Sequence, residues 1–307
     1  MLVAKPEGKS FRVIDAFSRP VRLGEGVANS GVLSDAAIGR TIDALQACAA
    51  KMRKRGVTRA RHVATEACRR AGNCDYFLSR VAAETGLDIE IISVEEEARL
   101  ALAGCAPLLD RHLRHALVFD IGGGSTELLS VHVRDGVPVG VEAMASLPVG
   151  VVTLAEQVGC GLEGSAGYTR VVAELRAALA VFDRRSTLRR HIANGRAQML
   201  GTSGTVTTLG ALHLGLPKYD RAAVDGLVMS FADIIRVSHM LASMTAAERV
   251  GLACIGTDRA DLVVAGCAIL EAICLTWPIG RLRVADRGVR EGVLMGLMHG
   301  SVVKAAE

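Results

Sequence analysis

The stretch FDIGGGSTELLS (119–130) places three consecutive glycines, Gly122, Gly123 and Gly124, between two runs of strand-forming residues. Glycine lets backbone N–H groups come close to a ligand, and consecutive N–H groups in a tight turn can hold a phosphate. Ser125 and the threonine after it add hydroxyl donors. Because a strand rather than a helix follows, the stretch matches neither the P-loop nor the Rossmann fingerprint. We predict that this loop binds phosphate.

Two carboxylates flank this loop, Asp120 before it and Glu127 after it. Neither can contact a phosphate directly, because like charges repel. A hard divalent cation between carboxylate and phosphate removes the repulsion, and Mg²⁺ usually binds in this way while keeping several waters. The pattern therefore predicts a Mg²⁺ site at Asp120 and Glu127. A plain β-hairpin with a glycine-rich turn is the alternative, although three glycines cost entropy that a shorter turn would avoid.

A second glycine and hydroxyl loop, LGTSGT (200–205), lies between a predicted strand and a predicted helix. The N-terminus of a helix favours an anion electrostatically. Capping of the helix by a hydroxyl side chain is the alternative interpretation. Two such loops, each after an apolar strand, suggest two walls of one phosphate cleft. The candidate phosphate ligands here are Gly201, Thr202, Ser203, Gly204 and Thr205.

The elements that must position these loops alternate between strand and helix, which is typical of an α/β fold. The hydrophobic spacing predicts strands in 11–26, 60–67, 87–93, 114–121 and at the start of 197–215, with a turn at 18–20 inside the first of them. A hairpin is predicted over 125–144, with its turn at Asp135 and Gly136. Helices are predicted over 35–52, 75–86 and 94–109, in segments up to about 190, at the end of 197–215, and over 259–277 and 288–306.

Length and composition set wider limits. A chain of 307 residues favours two domains. Aromatic residues make up only 3%, so few side chains are available to stack on nucleic acid bases, and we predict no nucleic acid partner. The net charge of +4 suits an anionic ligand without requiring one. His112 and His115 are spaced i, i+3 without a carboxylate partner, and we interpret them as surface residues rather than metal ligands.

Cysteines and apolar runs bear on location. The eight cysteines form no CxxC pair, and several lie in apolar helical patterns, so we interpret them as free, largely buried thiols. Free thiols favour a reducing cytoplasm. No secretory signal and no uninterrupted apolar run of about 18 residues is visible, so we expect no membrane span.

Seven blocks of the chain resemble, in the same order, those of the exopolyphosphatase / guanosine pentaphosphate phosphatase family, within the actin-like and sugar-kinase-like superfamily. They are VRLGEG (21–26), VATEACRRAGN (63–73), EIISVEEEARLALAG (90–104), VFDIGGGSTEL (118–128), LGTSGTVTTL (200–209), RADLVVAG (259–266) and GVREGVL (288–294). The resemblance implies two ribonuclease-H-like lobes, each a mixed sheet flanked by helices, with the active site in the cleft between them. We place the first lobe at 1–110 and the second at 111–287, and expect the helix from 288 to 307 to pack on the first.

The resemblance also implies Mg²⁺-dependent hydrolysis of a terminal phosphate from a phosphoanhydride chain. Glu97 matches the family's base for the attacking water, and Asp120 and Glu127 match its metal-holding carboxylates. Arg69 matches an arginine that meets phosphate, and Arg22 is a weaker candidate for the same role.

A glutamate at the start of a helix fits the role of base, since it can orient and deprotonate a water in line with the leaving group. Glu95 and Glu96 would crowd negative charge beside Glu97 and raise its pKa. A solvated helix N-terminus, where the dipole favours acidic residues, is the alternative interpretation of this acidic run.

One block of the family pattern is absent. Family members begin with a strand and loop of the form D-[LI]-G-[ST]-N, whereas this chain opens at MLVAKPEG, which resembles the strand just after that loop. We expect that the true start lies upstream; a shortened chain or a real loss of this phosphate contact are the alternatives. An extended chain would then be the more stable and more active form.

The sequence therefore predicts a cytoplasmic hydrolase that acts on inorganic polyphosphate or guanosine pentaphosphate. A non-catalytic regulator that binds such anions is the alternative from another class. An actin-like kinase that uses ATP is a third hypothesis, disfavoured by the absence of a nucleoside-pocket signature. A homodimer is kept as an open alternative to a monomer.

Overall fold

The computed structural model describes residues 1–8, 10–162, 164–257 and 259–299. The chain divides into two compact units. Unit 1 comprises Met1–Gly104 and the C-terminal helix, and unit 2 comprises Cys105–Gly288. Within the described residues, no helix is both long and apolar enough to cross a membrane.

Unit 1 combines two short sheets with helices. Its elements are β1 (Leu2–Glu7), β2 (Ser10–Ala16), α1 (Val27–Ser30), α2 (Asp35–Lys54), β3 (Val63–Ala64), α3 (Glu66–Arg70), α4 (Cys74–Thr85), β4 (Glu90–Ile91) and α5 (Val94–Cys105). Strands β1 and β2 pair antiparallel, and β3 and β4 pair parallel. Helix α2 begins where predicted, because the Ser34 hydroxyl accepts a hydrogen bond from the Ala37 amide. Helix α4 ends where predicted, at a left-handed Gly86.

The apolar faces of α2, α3 and α4 form the core of unit 1. Ile38, Ile42 and Phe77 are almost completely buried there. The prediction of strands throughout 11–26 was wrong in its second half, because β2 ends at Ala16 and residues 17–22 form neither strand nor helix. A proline and two glycines in 20–26 are poor strand formers, which accounts for the early end.

Unit 2 is built on one six-stranded mixed sheet. Its elements are β5 (His115–Ile121), β6 (Thr126–Arg134), β7 (Val137–Leu147), α6 (Val151–Val158), α7 (Gly164–Asp183), α8 (Leu188–Ala193), β8 (Ala197–Thr202), α9 (Gly204–His213), α10 (Arg221–Val224), β9 (Val228–Ser230), α11 (Phe231–Ser243), α12 (Ala246–Val250), α13 (Val263–Thr276) and β10 (Arg281–Ala285); helix α14 (Val289–His299) belongs to unit 1. The strand order is β7-β6-β5-β8-β10-β9. Strand β8 runs parallel to both β5 and β10, and the other pairs are antiparallel.

The core of unit 2 lies against the central strands. Strand β5 reads HALVFDI and is buried over most of its length, as expected for a strand covered on both faces. Helix α13 is buried almost all round, as its largely apolar sequence predicted. The prediction of an α/β fold with a mixed sheet flanked by helices is confirmed.

The predicted hairpin is also confirmed, with its turn at Asp135 and Gly136. Both residues have a positive φ, 53° and 79°, which a two-residue turn of this type requires.

Strands β9 and β10 and helices α10 to α12 were not predicted. Seven of the eight cysteines are free thiols, as predicted. The side chain of the eighth, Cys160, lies outside the described residues. Residues 300–306 of the predicted last helix also lie outside them.

Gly201 in β8 is explained by packing. A Cβ atom at Gly201 would lie 2.3 Å from Cζ of the Phe119 ring on the neighbouring strand. We expect Gly201→Ala to destabilise the protein by about 1–3 kcal/mol through overpacking, lowering the melting temperature by roughly 2–4 °C per kcal/mol. Phe119→Leu should relieve the overlap, so the cost of the double variant should be less than additive. Calorimetry checks this, with Gly140→Ala as control because a Cβ atom there would make only an ordinary contact, 4.0 Å from Cδ2 of His132. Equal melting temperatures for the two glycine variants would contradict the account.

Candidate functional site

A row of polar side chains crosses one end of the unit 2 sheet. Asp120 on β5 is directly opposite Glu127 on β6 and Thr202 on β8, and Glu127 is directly opposite Ser146 on β7. Directly paired residues on adjacent strands project from the same face. The pairing therefore brings together both predicted metal-binding carboxylates and one residue of the second loop.

The two predicted phosphate loops follow this row. Strands β5 and β8 are parallel neighbours, so their carboxyl ends meet at the same edge of the sheet. The glycine loop, residues 122–125, leaves this edge from β5, and Ser203 leaves it from β8. The prediction that both loops follow apolar strands is confirmed, and the parallel pairing explains why they lie side by side.

The glycine loop is held by the N-terminus of α6. The amide of Val151 donates to the Gly122 carbonyl at 3.0 Å, and the amide of Val152 donates to the Gly123 carbonyl at 2.9 Å. Inside the loop, the Gly122 amide donates to the Ser125 carbonyl at 2.9 Å. Because the loop carbonyls face α6, the amides that follow them are turned away from that helix. Among the described residues, the amides of Gly123 and Gly124 have no acceptor.

The reason for glycine in this loop differs from the usual one. Neither Gly122 nor Gly123 has a positive φ, so freedom to adopt left-handed backbone is not what these positions need. The constraint is close approach. A Cβ atom at Gly122 would lie 3.1 Å from the Ser125 carbonyl, and one at Gly150, just before α6, would lie 2.5 Å from the Gly122 and Gly123 carbonyls. Sequence reasoning missed Gly150.

Glu127 is a buried carboxylate, 1% exposed, that is held by hydroxyl groups. Ser125 Oγ donates to Glu127 Oε1 at 2.7 Å, and Ser146 Oγ donates to the same oxygen at 2.9 Å. Two donated hydrogen bonds favour the ionised form of a carboxyl group. The hydroxyl of Ser125, which was predicted to bind phosphate, is thus engaged with Glu127.

The donor set beside Asp120 fits Mg²⁺. This ion needs only one or two protein carboxylates, because waters and substrate phosphates complete its shell. A Cβ atom at Gly288 would lie 3.9 Å from Asp120 Oδ2 and 3.4 Å from Thr202 Oγ1, so this glycine keeps space open beside the carboxylate. Within the described ranges, no group of three or more His, Cys, Asp and Glu side chains is arranged to hold a metal. A metal here would therefore depend on the substrate for part of its shell.

The residues of the second loop divide into two groups. Ser203 caps α9, because its Oγ accepts from the Val206 amide at 3.0 Å, so the capping alternative holds for this side chain. The first amides of α9, those of Gly204 and Thr205, have no acceptor in the described part of the chain and remain able to bind an anion. Thr202 Oγ1 donates to the Arg287 carbonyl at 2.6 Å.

Two other residues of the second loop face the interior. The Thr205 side chain packs against α13, where a Cβ atom at Gly266 would lie 2.0 Å from its Oγ1. Gly201 lies within β8 against the Phe119 ring. Neither side chain position offers a contact for phosphate at the edge of the sheet.

Arg259 is a candidate that sequence reasoning missed. A Cβ atom at Gly204 would lie 3.5 Å from Nη1 of Arg259, so this guanidinium lies beside the N-terminus of α9. No carboxylate among the described residues pairs with it. The signal available in the sequence was an arginine, in RADLVVAG, placed just before a buried helix.

In unit 1, the predicted base Glu97 pairs with the predicted phosphate ligand Arg69. Arg69 Nη2 donates to Glu97 Oε2 at 2.9 Å and to Glu66 Oε2 at 3.1 Å, and Nη1 donates to the Ile92 carbonyl at 2.9 Å. Burial alone would lower the pKa of Arg69, but the hydrogen bond to Glu97 and the charge of Glu66 outweigh it, so the pKa is raised. Glu66, which was not predicted, thus helps to hold the arginine.

The other two glutamates of the acidic run each have a partner of their own. Glu96 Oε1 accepts from Arg61 Nη2 at 2.5 Å. The pKa of Glu95 is lowered by its own backbone amide and by the Ser93 hydroxyl. Arg22 lies in the loop before α1 and has a positive φ of 49°, which is uncommon for a residue other than glycine.

The sequence profile of the Ppx/GppA phosphatase family matches residues 2–301, so the chain belongs to the Ppx/GppA phosphatase family. Exopolyphosphatase 2 of Mycobacterium tuberculosis is 31% identical over 291 residues, which cover 91% of this chain and 88% of that protein. A guanosine-5'-triphosphate,3'-diphosphate pyrophosphatase of Aeromonas salmonicida is 30% identical over 299 residues, which cover 97% of this chain and 57% of that protein.

A solved structure extends the comparison to the fold. The crystal structure of the Aquifex aeolicus member of the Ppx/GppA family is similar with a TM-score of 0.76 and 28% identity. The match covers 99% of this chain and 94% of that one. The family resemblance found in the sequence blocks is thereby confirmed.

Gly150 provides a test of the loop geometry. We expect Gly150→Ala to displace the glycine loop, because the added Cβ atom would lie 2.5 Å from two loop carbonyls. A misplacement of about 1 Å can cost on the order of 10²-fold in rate, so phosphate release should fall steeply while the protein stays folded. Gly140→Ala on β7 is the matched control. Parent-like turnover in Gly150→Ala would show that the loop position does not matter for the reaction.

Proposed function

We propose that this protein is a Mg²⁺-dependent phosphoanhydride hydrolase that removes the terminal phosphate from inorganic polyphosphate or guanosine pentaphosphate. The observation that carries the proposal is the glycine loop of unit 2, whose carbonyls are bound by α6 and whose Gly123 and Gly124 amides have no acceptor among the described residues. Consecutive backbone amides of this kind hold phosphate oxygens. The names of the two relatives supply the two candidate substrates.

In the proposed reaction, the loop amides and the first amides of α9 bind oxygens of the terminal phosphate. Arg259, beside the N-terminus of α9, adds positive charge. Asp120 and Glu127 are the residues that would hold Mg²⁺, which when bound neutralises charge on the phosphate oxygens. Ser125 and Ser146 hold the Glu127 carboxylate in place through their hydrogen bonds.

Glu97 is proposed as the base that takes a proton from the attacking water. Its carboxylate is largely buried, and Arg69 fixes one of its oxygens at 2.9 Å. A base held in a single orientation can direct water at phosphorus, which is most of what an enzyme must do in phosphoryl transfer. We propose that Arg69 both orients Glu97 and attracts the anionic substrate. The free thiols agree with the cytoplasm as the place of this reaction.

Glu97→Gln tests the base. The amide keeps the size of the side chain and an oxygen that can accept from Arg69, so the fold and substrate binding should survive. Loss of the proton acceptor should lower kcat by about 10² to 10⁴. Rapid-quench phosphate release measures the effect, and Glu95→Gln is the matched control, because that exposed neighbour lies in the same helical turn. Turnover within about threefold of the parent would exclude Glu97 as the base.

Asp120→Asn and Glu127→Gln test the metal site. Each change removes a charge but keeps an oxygen acceptor, so both should raise the Mg²⁺ concentration needed for half-maximal rate. Glu142→Gln is the control, since Glu142 is a carboxylate of the same sheet that accepts hydrogen bonds from Ser130 and Thr187. Magnesium titrations that coincide with that of the parent in both variants would remove the metal role and leave a plain hairpin.

The experiment that tests the function as a whole is phosphate release from polyphosphate and from guanosine pentaphosphate, measured with Mg²⁺. The proposal predicts release from at least one of them. Binding of both substrates without release would favour the non-catalytic alternative. Phosphorylation of an added acceptor by ATP would favour the kinase.

A further inference from the structure

An arginine-rich edge lies at the end of the unit 2 sheet opposite the glycine loop. We define it by five exposed arginines: Arg111, Arg114, Arg134, Arg190 and Arg196. Arg114 directly precedes β5, Arg196 directly precedes the parallel strand β8, and Arg134 ends the antiparallel strand β6. The sheet topology therefore brings these residues to the same edge.

Contacts confirm that the five lie together. The carbonyl of Arg114 accepts from the Val133 amide at 2.8 Å, and the carbonyl of Arg196 accepts from the His115 amide at 3.3 Å. The Cβ atom of Arg111 lies 3.5 Å from the position of a Cβ on Gly136, in the turn after β6. Arg190 and His191 both belong to α8, and the His191 carbonyl accepts from the Arg196 amide at 2.9 Å.

The protein neutralises these arginines only in part. Among the described residues, no carboxylate forms an ion pair with any of the five. Three carboxylates lie nearby, Asp110, Asp135 and Glu142, and the five arginines outnumber them. The edge therefore carries a local excess of positive charge at neutral pH.

Three histidines lie within this edge. The rings of His115 and His191 stack at 3.2 Å, and the ring of His132 meets His115 edge-on at 4.9 Å. The interpretation of His115 as a surface residue was wrong, since it is half-buried and its Nδ1 atom is buried without a hydrogen-bond partner among the described residues. Desolvation, followed by the charges of His191 and His132, lowers the pKa of His115 to about 4. The stack of His115 on His191 joins β5 to α8.

We infer that the arginine-rich edge is a second binding surface, remote from the glycine loop, for long chains of inorganic polyphosphate. This inference rests on the proposed function, because a hydrolase of long chains gains affinity from a second contact with the same polymer. Guanidinium groups bind phosphate oxygens with two parallel hydrogen bonds, and polyphosphate offers such oxygens at every repeat.

The separation between the two sites favours a polymer. The seven residues of β5 separate Arg114 from Gly122, and these eight steps along an extended chain span about 26 Å at 3.3 Å per residue. Tripolyphosphate and guanosine pentaphosphate are much shorter than this, so only a long chain can occupy both sites. Single-stranded RNA fits less well, because base binding uses aromatic platforms. The ring contacts at this edge are between histidines, and aromatic residues make up 3% of the chain.

The test removes three charges from the edge of the full-length chain, in the variant Arg114→Gln/Arg190→Gln/Arg196→Gln. The matched control is Arg12→Gln/Arg59→Gln/Arg176→Gln, three exposed arginines elsewhere. Binding of fluorescent long-chain polyphosphate should weaken by about tenfold or more in the edge variant only, and the slope of log affinity against log salt should fall by about 2. The KM for long chains should rise with kcat unchanged, and the KM for tripolyphosphate should not change. Equal melting temperatures of variant and control confirm that both are folded.

Equal long-chain affinity in the edge variant and its control would overturn the inference. So would a rise in the KM for tripolyphosphate as large as the rise in the KM for long chains. Tighter binding of single-stranded RNA than of polyphosphate with the same number of charges would also overturn it. The binding measurements do not require the protein to hydrolyse polyphosphate. If the parent releases no phosphate from any substrate but the edge variant still loses affinity for long chains, the proposed function fails while the binding surface stands.

Discussion

The parallel pairing of β5 with β8 is the constraint on which the rest of the candidate site depends. It places Asp120 opposite Thr202 and brings the two loops to one edge of the sheet. Antiparallel pairing with β6 adds Glu127 to the same row. A slip of one residue in either pairing would turn one carboxylate to the opposite face. Phe119 opposes such a slip, because its ring lies over Gly201 of β8, where any residue with a Cβ atom would overlap it.

The glycine loop shows how a helix N-terminus can act indirectly. In the common arrangement, the first amides of a helix bind the anion themselves. Here the first amides of α6 bind the carbonyls of Gly122 and Gly123. The loop is thereby held in one conformation, and its own amides are left for a ligand. The cost is close packing, which is why Gly150 cannot carry a side chain without displacing the loop. The first amides of α9, those of Gly204 and Thr205, have no acceptor among the described residues, so the two loops present amides to the same edge of the sheet in different ways.

The sequence predicted the main elements and the glycine loop, because hydrophobic period, glycine and turn residues are local signals. Tertiary packing decided what it missed. Gly150 carried no local signal, although its close approach to the Gly122 and Gly123 carbonyls requires a glycine. Thr205 looked like a ligand and packs on Gly266, and Glu96 looked like a source of repulsion and pairs with Arg61. Arg259 is distant from the loop in sequence, so no local pattern could have placed it beside Gly204.

The central claim is that the backbone amides of the glycine loop bind phosphate. NMR spectra of the isotopically labelled chain, recorded while orthophosphate is added with Mg²⁺, test it most directly. The account predicts that the amide resonances of Gly123, Gly124 and Gly204 shift together with a single apparent Kd, while that of Gly140, far along β7, stays in place. Shifts confined to other parts of the chain, with these three amides unmoved at saturating phosphate, would contradict the account.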